Sequence, residues 1–308
     1  MNLSPAHFLA LFLTLPTRQS AGRMRVWRAL RALGCATLRD GVFLLPAGDG
    51  RAEALENVAR EVRGVEGTAE IHKLDGCDDA GRARLAALFD RSADYAALLD
   101  SIAKASAADA KALRALRREL AALAAIDFFP GEAQRQAAAA LAQLEAAADG
   151  EPADSRARIR RLASADFSGR TWATRKNLWV DRMASAWLIR RSIDRKARFL
   201  WLADVRKCPK TALGFDFDGA VFTHVGGRVT FEVLMLSFGL DADPALARIA
   251  AIVHCLDVGG VPVAEAPGIE AVLAGLRAAA GDDDTLLREA SRVFDGLYTN
   301  YRQEQPHE

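Results

Sequence analysis

The residues most able to do chemistry lie in the last third of the chain. Two of the five histidines, His7 and His307, lie near the ends of the sequence, while His224 and His254 stand among carboxylates. His224 closes an apolar segment before Gly226 and Gly227, and Glu232 opens the run that follows. His254 and Asp257 are three residues apart, so on a helix they share one face. Two imidazoles with one or two carboxylates suit Zn, Fe(II) or Mn(II). The spacing therefore predicts one divalent metal per chain held by His224, Glu232, His254 and Asp257. The competing reading is a set of hydrogen-bonded core residues, the usual role of a buried histidine.

Arginines form two further groups. Val180, Met183, Ala184, Trp187 and Leu188 make an apolar stripe at helical spacing, and the next position on that stripe is Arg191. A guanidinium in a core needs a carboxylate, here Asp181 or Asp194, or a bound anion. With Arg175, Arg182 and Arg190 close by, the group reads as a candidate oxyanion site. The second group, Arg18, Arg23, Arg25, Arg28, Arg31 and Arg39, spans a stretch without an acidic residue. Such a stripe can neutralise DNA phosphates or can simply be a solvated helix face.

These groups need elements to position them. In the first 75 residues, apolar runs at Phe8–Leu15, Cys35–Leu38, Val42–Leu45 and Thr68–Leu74 alternate with helical periodicity at Met24–Leu33 and Leu55–Val62. Asp40-Gly41 is a hairpin turn signal, and the order βαββαβ predicts a ferredoxin-like domain over residues 1–76. Residues 77–165 are alanine-rich and helical, broken at Pro130-Gly131, and read as an arm for a homodimer. Residues 166–308 form a helix-dominated α+β domain: strands at Thr171–Thr174, Ala197–Leu202 and Ala220–His224, an extended Phe215–Phe217, and helices over Val180–Ile193, Thr230–Phe238 with Thr230 as its cap, and Ala245–Leu256. The fold class is α+β throughout.

Composition narrows the function. At 308 residues, 51% hydrophobic, 26% charged and a net charge of +1, the chain is globular and has no global field toward nucleic acid or membrane. The run Phe8–Leu15 falls far short of the roughly 18 to 20 residues that cross a bilayer, so no membrane span is expected. The N-terminus lacks a charged segment before its apolar run, and the chain reads as starting at Met1. Cys35, Cys77, Cys208 and Cys255 make no CxxC pair, which points to the cytoplasm and against a disulfide framework.

Four segments together resemble a known family. RMRVWRALRALGCATLRDGVFLLP (Arg23–Pro46), VDRMASAWLIRRSID (Val180–Asp194), THVGGRVTFEVL (Thr223–Leu234) and IVHCLD (Ile252–Asp257) resemble the bacterial ChrB chromate resistance family in order and spacing. The first of them is also similar to the N-terminal domain of PaaX-type repressors. The resemblance implies a chromate-responsive transcriptional regulator of a chromate efflux operon, with operator DNA and chromate or a similar oxyanion as partners. A metal-dependent enzyme of oxyanion or oxidative-stress detoxification, using Fe, Mn or Zn, is the alternative. The pattern differs from iron and manganese superoxide dismutases, which use three histidines and an aspartate.

Overall fold

The computed structural model describes residues 7–16, 20–148 and 159–303. Arg18 lies outside these residues. The protein is mixed α and β, and it divides into two compact units, one formed by residues 1–101 and 111–134 and the other by 102–110 and 135–308.

In the first unit the chain runs β1 (Phe8–Thr14), α1 (Ser20–Ala32), β2 (Ala36–Arg39), β3 (Val42–Pro46), α2 (Arg51–Gly64) and β4 (Thr68–Leu74). The strands form one sheet in the order β2-β3-β1-β4, and every neighbouring pair is antiparallel. The hairpin turns at Gly41, whose φ of 73° is left-handed and whose Cα lies so near the Leu13 carbonyl that an added Cβ would meet it. One sheet face is covered by α1 and α2 through Val26, Leu30, Leu55, Val58 and Val62. On the other face Phe8, Ala10 and Leu44 meet Phe89 and Phe128. Helices α3 (Asp79–Ala87), α4 (Ser92–Lys104) and α5 (Ala110–Ala125) follow. Helix α6 (Glu132–Ala148) runs into the second unit.

The second unit is built on β5 (Thr171–Arg175), α7 (Val180–Leu188), β6 (Arg198–Leu202) and β7 (Leu213–Gly214). The sheet order is β6-β5-β7, with both pairs parallel. Helices α8 (Thr230–Ser237), α9 (Pro244–Val258), α10 (Ala266–Ala279) and α11 (Asp283–Gln303) complete it. Its core gathers Trp172, Met183, Trp187, Phe231, Ile249 and Phe294. No helix among the described residues is long and apolar enough to cross a membrane.

Three local expectations change. The helix expected over Val180–Ile193 is α-helical only to Leu188, and a π turn occupies Ile189–Ile193. The wider turn shifts the stripe by about one residue, so that Ile189 and Ile193 are buried and Arg191 is turned outward. Arg191 therefore holds no core position: it pairs with Asp295 at 2.6 Å and lies 4.3 Å from the centre of the Tyr298 ring. The strand expected at Ala220–His224 is a single bridge between Phe215 and Phe222, because the chain turns at Gly219, with φ 81°, before a ladder can form. Finally, Val229 and not Thr230 is the residue that precedes α8.

Asp194, the carboxylate after the π turn, is buried and accepts four N–H groups: Gly169 (2.8 Å), Arg170 (2.9 Å), Lys196 (3.0 Å) and the Trp172 indole (3.2 Å). Burial opposes its charge, yet these donors together hold it below the ordinary carboxylate range. Replacing Asp194 by alanine leaves the donors unpaired and should cost about 3 kcal/mol or more in denaturant unfolding. Arg191→Lys, at an exposed ion pair, should cost under about 1 kcal/mol. Equal losses for the two would contradict this division between buried and surface roles.

Candidate functional site

Two carboxylates from different segments come together at the carboxyl ends of β5 and β7. Asp181 is the second residue of α7 and only 1% exposed. Its Oδ1 accepts the Phe231 N–H (2.9 Å) and its Oδ2 the Thr230 N–H (3.0 Å), so a side chain of α7 satisfies the first turn of α8. Ser185, one turn on, donates to Oδ1 at 3.3 Å. At the same helix end Glu232 accepts the Val229 N–H at 2.9 Å. The Thr230 hydroxyl, expected to cap, donates instead to Asp216 Oδ1 at 3.2 Å. Asp216 lies two residues beyond β7 with φ 54°, a left-handed conformation that aspartate tolerates better than most residues.

His224 joins them. Its Nε2 lies 3.3 Å from Asp181 Oδ2, 3.4 Å from Asp216 Oδ1 and 3.6 Å from Asp257 Oδ2. Asp257 comes from the last turn of α9. Arg182 flanks the group, with Nε 3.2 Å from Asp216 Oδ2 and Nη1 donating to the carbonyls of Arg175, Lys176 and Asn177. Arg175 donates to the Asp216 carbonyl at 3.1 Å. The loop between β5 and α7 is held from its other side by Asp283, which accepts the N–H groups of Asn177 and Leu178, each at 2.9 Å.

The electrostatics follow from crowding. Hydrogen bonds to Asp181 and Asp216 push the His224 imidazole up from 6.5 to about 10. Burial, with repulsion from Asp181 and Asp216, pushes Asp257 up to about 6. Burial also raises Asp181, against the pull of His224, and lowers Arg182 against the field of Asp216.

The residues singled out in the sequence are thus divided. Of the four expected metal ligands, His224 and Asp257 meet here. His254 and Glu232 form a separate pair, with His254 Nδ1 2.9 Å from Glu232 Oε2. Of the four arginines expected to hold an anion, Arg175 and Arg182 stand at the cluster. Arg190 lies 4.8 Å over the Phe199 ring, and Arg191 is with Asp295. In the first unit Arg23, Arg25, Arg28 and Arg31 are exposed along α1 beside Met24 and Trp27. Two cluster members lie outside the ligand set read from the sequence. Asp181 has a signal, an acid beside the apolar stripe Val180, Met183, Ala184 and Trp187 with Ser185 one turn away; Asp216 has only its place between Phe215 and Phe217.

Comparison with known proteins agrees over both units. Residues 172–301 match the family model described as ChrB, C-terminal domain, and residues 23–123 the one described as Protein ChrB, N-terminal. The chain is similar to Protein ChrB of Cupriavidus metallidurans, at 47% identity over 318 aligned positions that cover 98% of each chain. No solved structure matches.

The cluster makes stability depend on pH. A histidine whose folded value lies above its unfolded value of about 6.5 stabilises fully below that pH. The contribution is lost as pH rises through about 10. Asp257 is half ionised near pH 6, so most of its titration lies below this window. In chelator-treated protein, urea midpoints between pH 7 and 10 should therefore fall more steeply for the wild type than for His224→Gln. Parallel curves would show that the carboxylates do not hold the imidazolium.

Proposed function

The chain belongs to the ChrB family, which is associated with chromate resistance, and from that premise we propose that it is a chromate-responsive transcriptional regulator. The first unit binds operator DNA, and the second carries the sensing site. The observation that carries this reading is the outer face of α1. Arg23, Arg25, Arg28 and Arg31 are exposed there and have no carboxylate partner among the described residues. Trp27, 49% exposed, lies between them with the Arg31 guanidinium 5.3 Å from its ring. Guanidinium groups left without internal partners are free to displace counterions from phosphates, and the rigid sheet beneath α1 supports the helix that presents them.

The strand order of the first unit supports a ferredoxin-like reading. The segment 77–165, with helices α3 to α6 among its described residues, serves as the arm of a cytoplasmic homodimer, giving two copies of α1 to a palindromic site. Chromate, a tetrahedral dianion, is received between Arg175 and Arg182, through the guanidinium N–H groups not already given to Asp216 and the loop carbonyls. A second reading, a metal-dependent enzyme acting on oxyanions, draws on the position of the cluster at the carboxyl ends of parallel strands. Turnover of chromate by the purified chain would favour it.

Arg23→Ala with Arg28→Ala should weaken operator binding and lower its salt slope by about one for each phosphate that is no longer neutralised. Unchanged affinity and slope would remove α1 from the interface. Arg182→Lys should abolish release of DNA by chromate while DNA binding persists. Because Arg182 also holds three carbonyls, Arg175→Gln, at a more exposed position, is the companion variant. Two folded variants that both respond at the wild-type chromate concentration would refute this anion site.

A further inference from the structure

The cluster of the second unit has the dimensions of a coordination sphere. Ligand atoms bound about 2.0 to 2.2 Å from one ion lie roughly 3.0 to 3.5 Å from each other in tetrahedral or octahedral arrays. His224 Nε2 lies 3.3 Å from Asp181 Oδ2 and 3.6 Å from Asp257 Oδ2, and one possible ligand atom from each of the three residues lies within 4.8 Å of the other two. They arrive from three elements: the first turn of α7, the segment before α8, and the last turn of α9. Asp181 is fixed by two backbone N–H groups, the kind of support that orients a ligand before an ion arrives. His224 and Asp257 are partly exposed, 37% and 24%, so the point where the three meet is open to solvent.

Charge points the same way. Arg182 is committed to Asp216 at 3.2 Å. Asp181 and Asp257 are then left facing the single imidazole of His224. A dication on a neutral imidazole balances both carboxylates.

We infer that Asp181, His224 and Asp257 bind one divalent first-row transition metal, with Mn(II) or Fe(II) the ions this donor set favours. Carboxylates suit Mg, Ca and Mn, while imidazole suits Zn, Cu, Fe and Ni. A set of two carboxylates and one imidazole, with no thiolate among its three donors, falls where these preferences overlap. Three protein ligands leave coordination positions for water or a small anion, and Arg182 stands beside them. The centre differs from the set His224, Glu232, His254 and Asp257, because Glu232 is occupied by His254 and by the Val229 N–H.

The test uses the full chain, stripped with chelator and then titrated with Mn(II). The electron paramagnetic resonance of free Mn(II) should fall until about one ion per chain is bound, and the melting temperature should rise by more than about 3 °C. Asp257→Asn is the decisive variant, since the Asp257 carboxylate reaches His224 without capping a helix, whereas Asp181 also secures α8. It should bind Mn(II) at least tenfold more weakly, and Glu232→Gln should bind it as the wild type does. Wild-type protein that leaves the Mn(II) signal and its own melting temperature unchanged would overturn the assignment. So would an Asp257→Asn chain that binds like the wild type. None of these measurements involves DNA, so they succeed or fail separately from the regulator reading.

Discussion

A single buried carboxylate constrains the second unit. Asp181 is almost wholly removed from water, and that cost is offset only if its lone pairs are filled. They are filled by the first two N–H groups of α8, by Ser185 and by His224. The same bonds determine where α8 begins relative to α7, and α8 begins a few residues after the His224 turn. Helix packing and site geometry are therefore one problem. Any change that moves the Asp181 side chain also uncaps a helix and displaces the imidazole.

The position of the cluster follows from the sheet. From β5 the chain passes through α7 to β6 on one side and later reaches β7 on the other, so the strand order reverses at β5. In open parallel sheets such a point leaves a crevice beyond the strand ends, because the two connections depart in opposite directions. Arg175, Arg182 and Asp216 lie there. Two of the four non-glycine residues with positive φ among the described residues, Asn177 and Asp216, also lie on these loops. Backbone of this kind persists where its surroundings hold it, and here Asp283, Arg182 and Thr230 supply the bonds.

Much of the fold is legible in the sequence because it is local. Period-two and helical patterns locate all four strands and both helices of the first sheet, and the Pro130-Gly131 break falls between α5 and α6. The elements that escape such patterns depend on residues distant in sequence. The π turn at Ile189–Ile193 leaves no mark on a helical wheel drawn at 3.6 residues per turn, and it alone decides whether Arg191 faces core or solvent. The short β7 carries no periodicity in its two residues; its pairing with Trp172 and Ala173 identifies it. In the site, residue type suffices to mark His224 and Asp257, whereas Asp181 meets Thr230 across 49 positions and Arg175 meets Asp216 across 41. No local pattern encodes such separations.

Arginine shows the same limit in another form. Residue type and helical spacing make Arg23, Arg28, Arg182 and Arg191 look alike, but their partners set them apart. On α1 these arginines form no ion pair with a carboxylate among the described residues, and the charge is turned to solvent with Trp27 beside it. Arg191 has given its fork to Asp295 and its face to Tyr298. Arg182 is shared between Asp216 and three carbonyls, enclosed enough that burial works against its charge. A guanidinium satisfied within the fold mainly holds the fold, one without an internal ion pair keeps its charge at the surface, and one enclosed beside carboxylates shapes their field. The carboxylate geometry around each arginine, more than the arginines themselves, thus separates the solvent-facing charge of α1 from the enclosed ion pairs of the second unit.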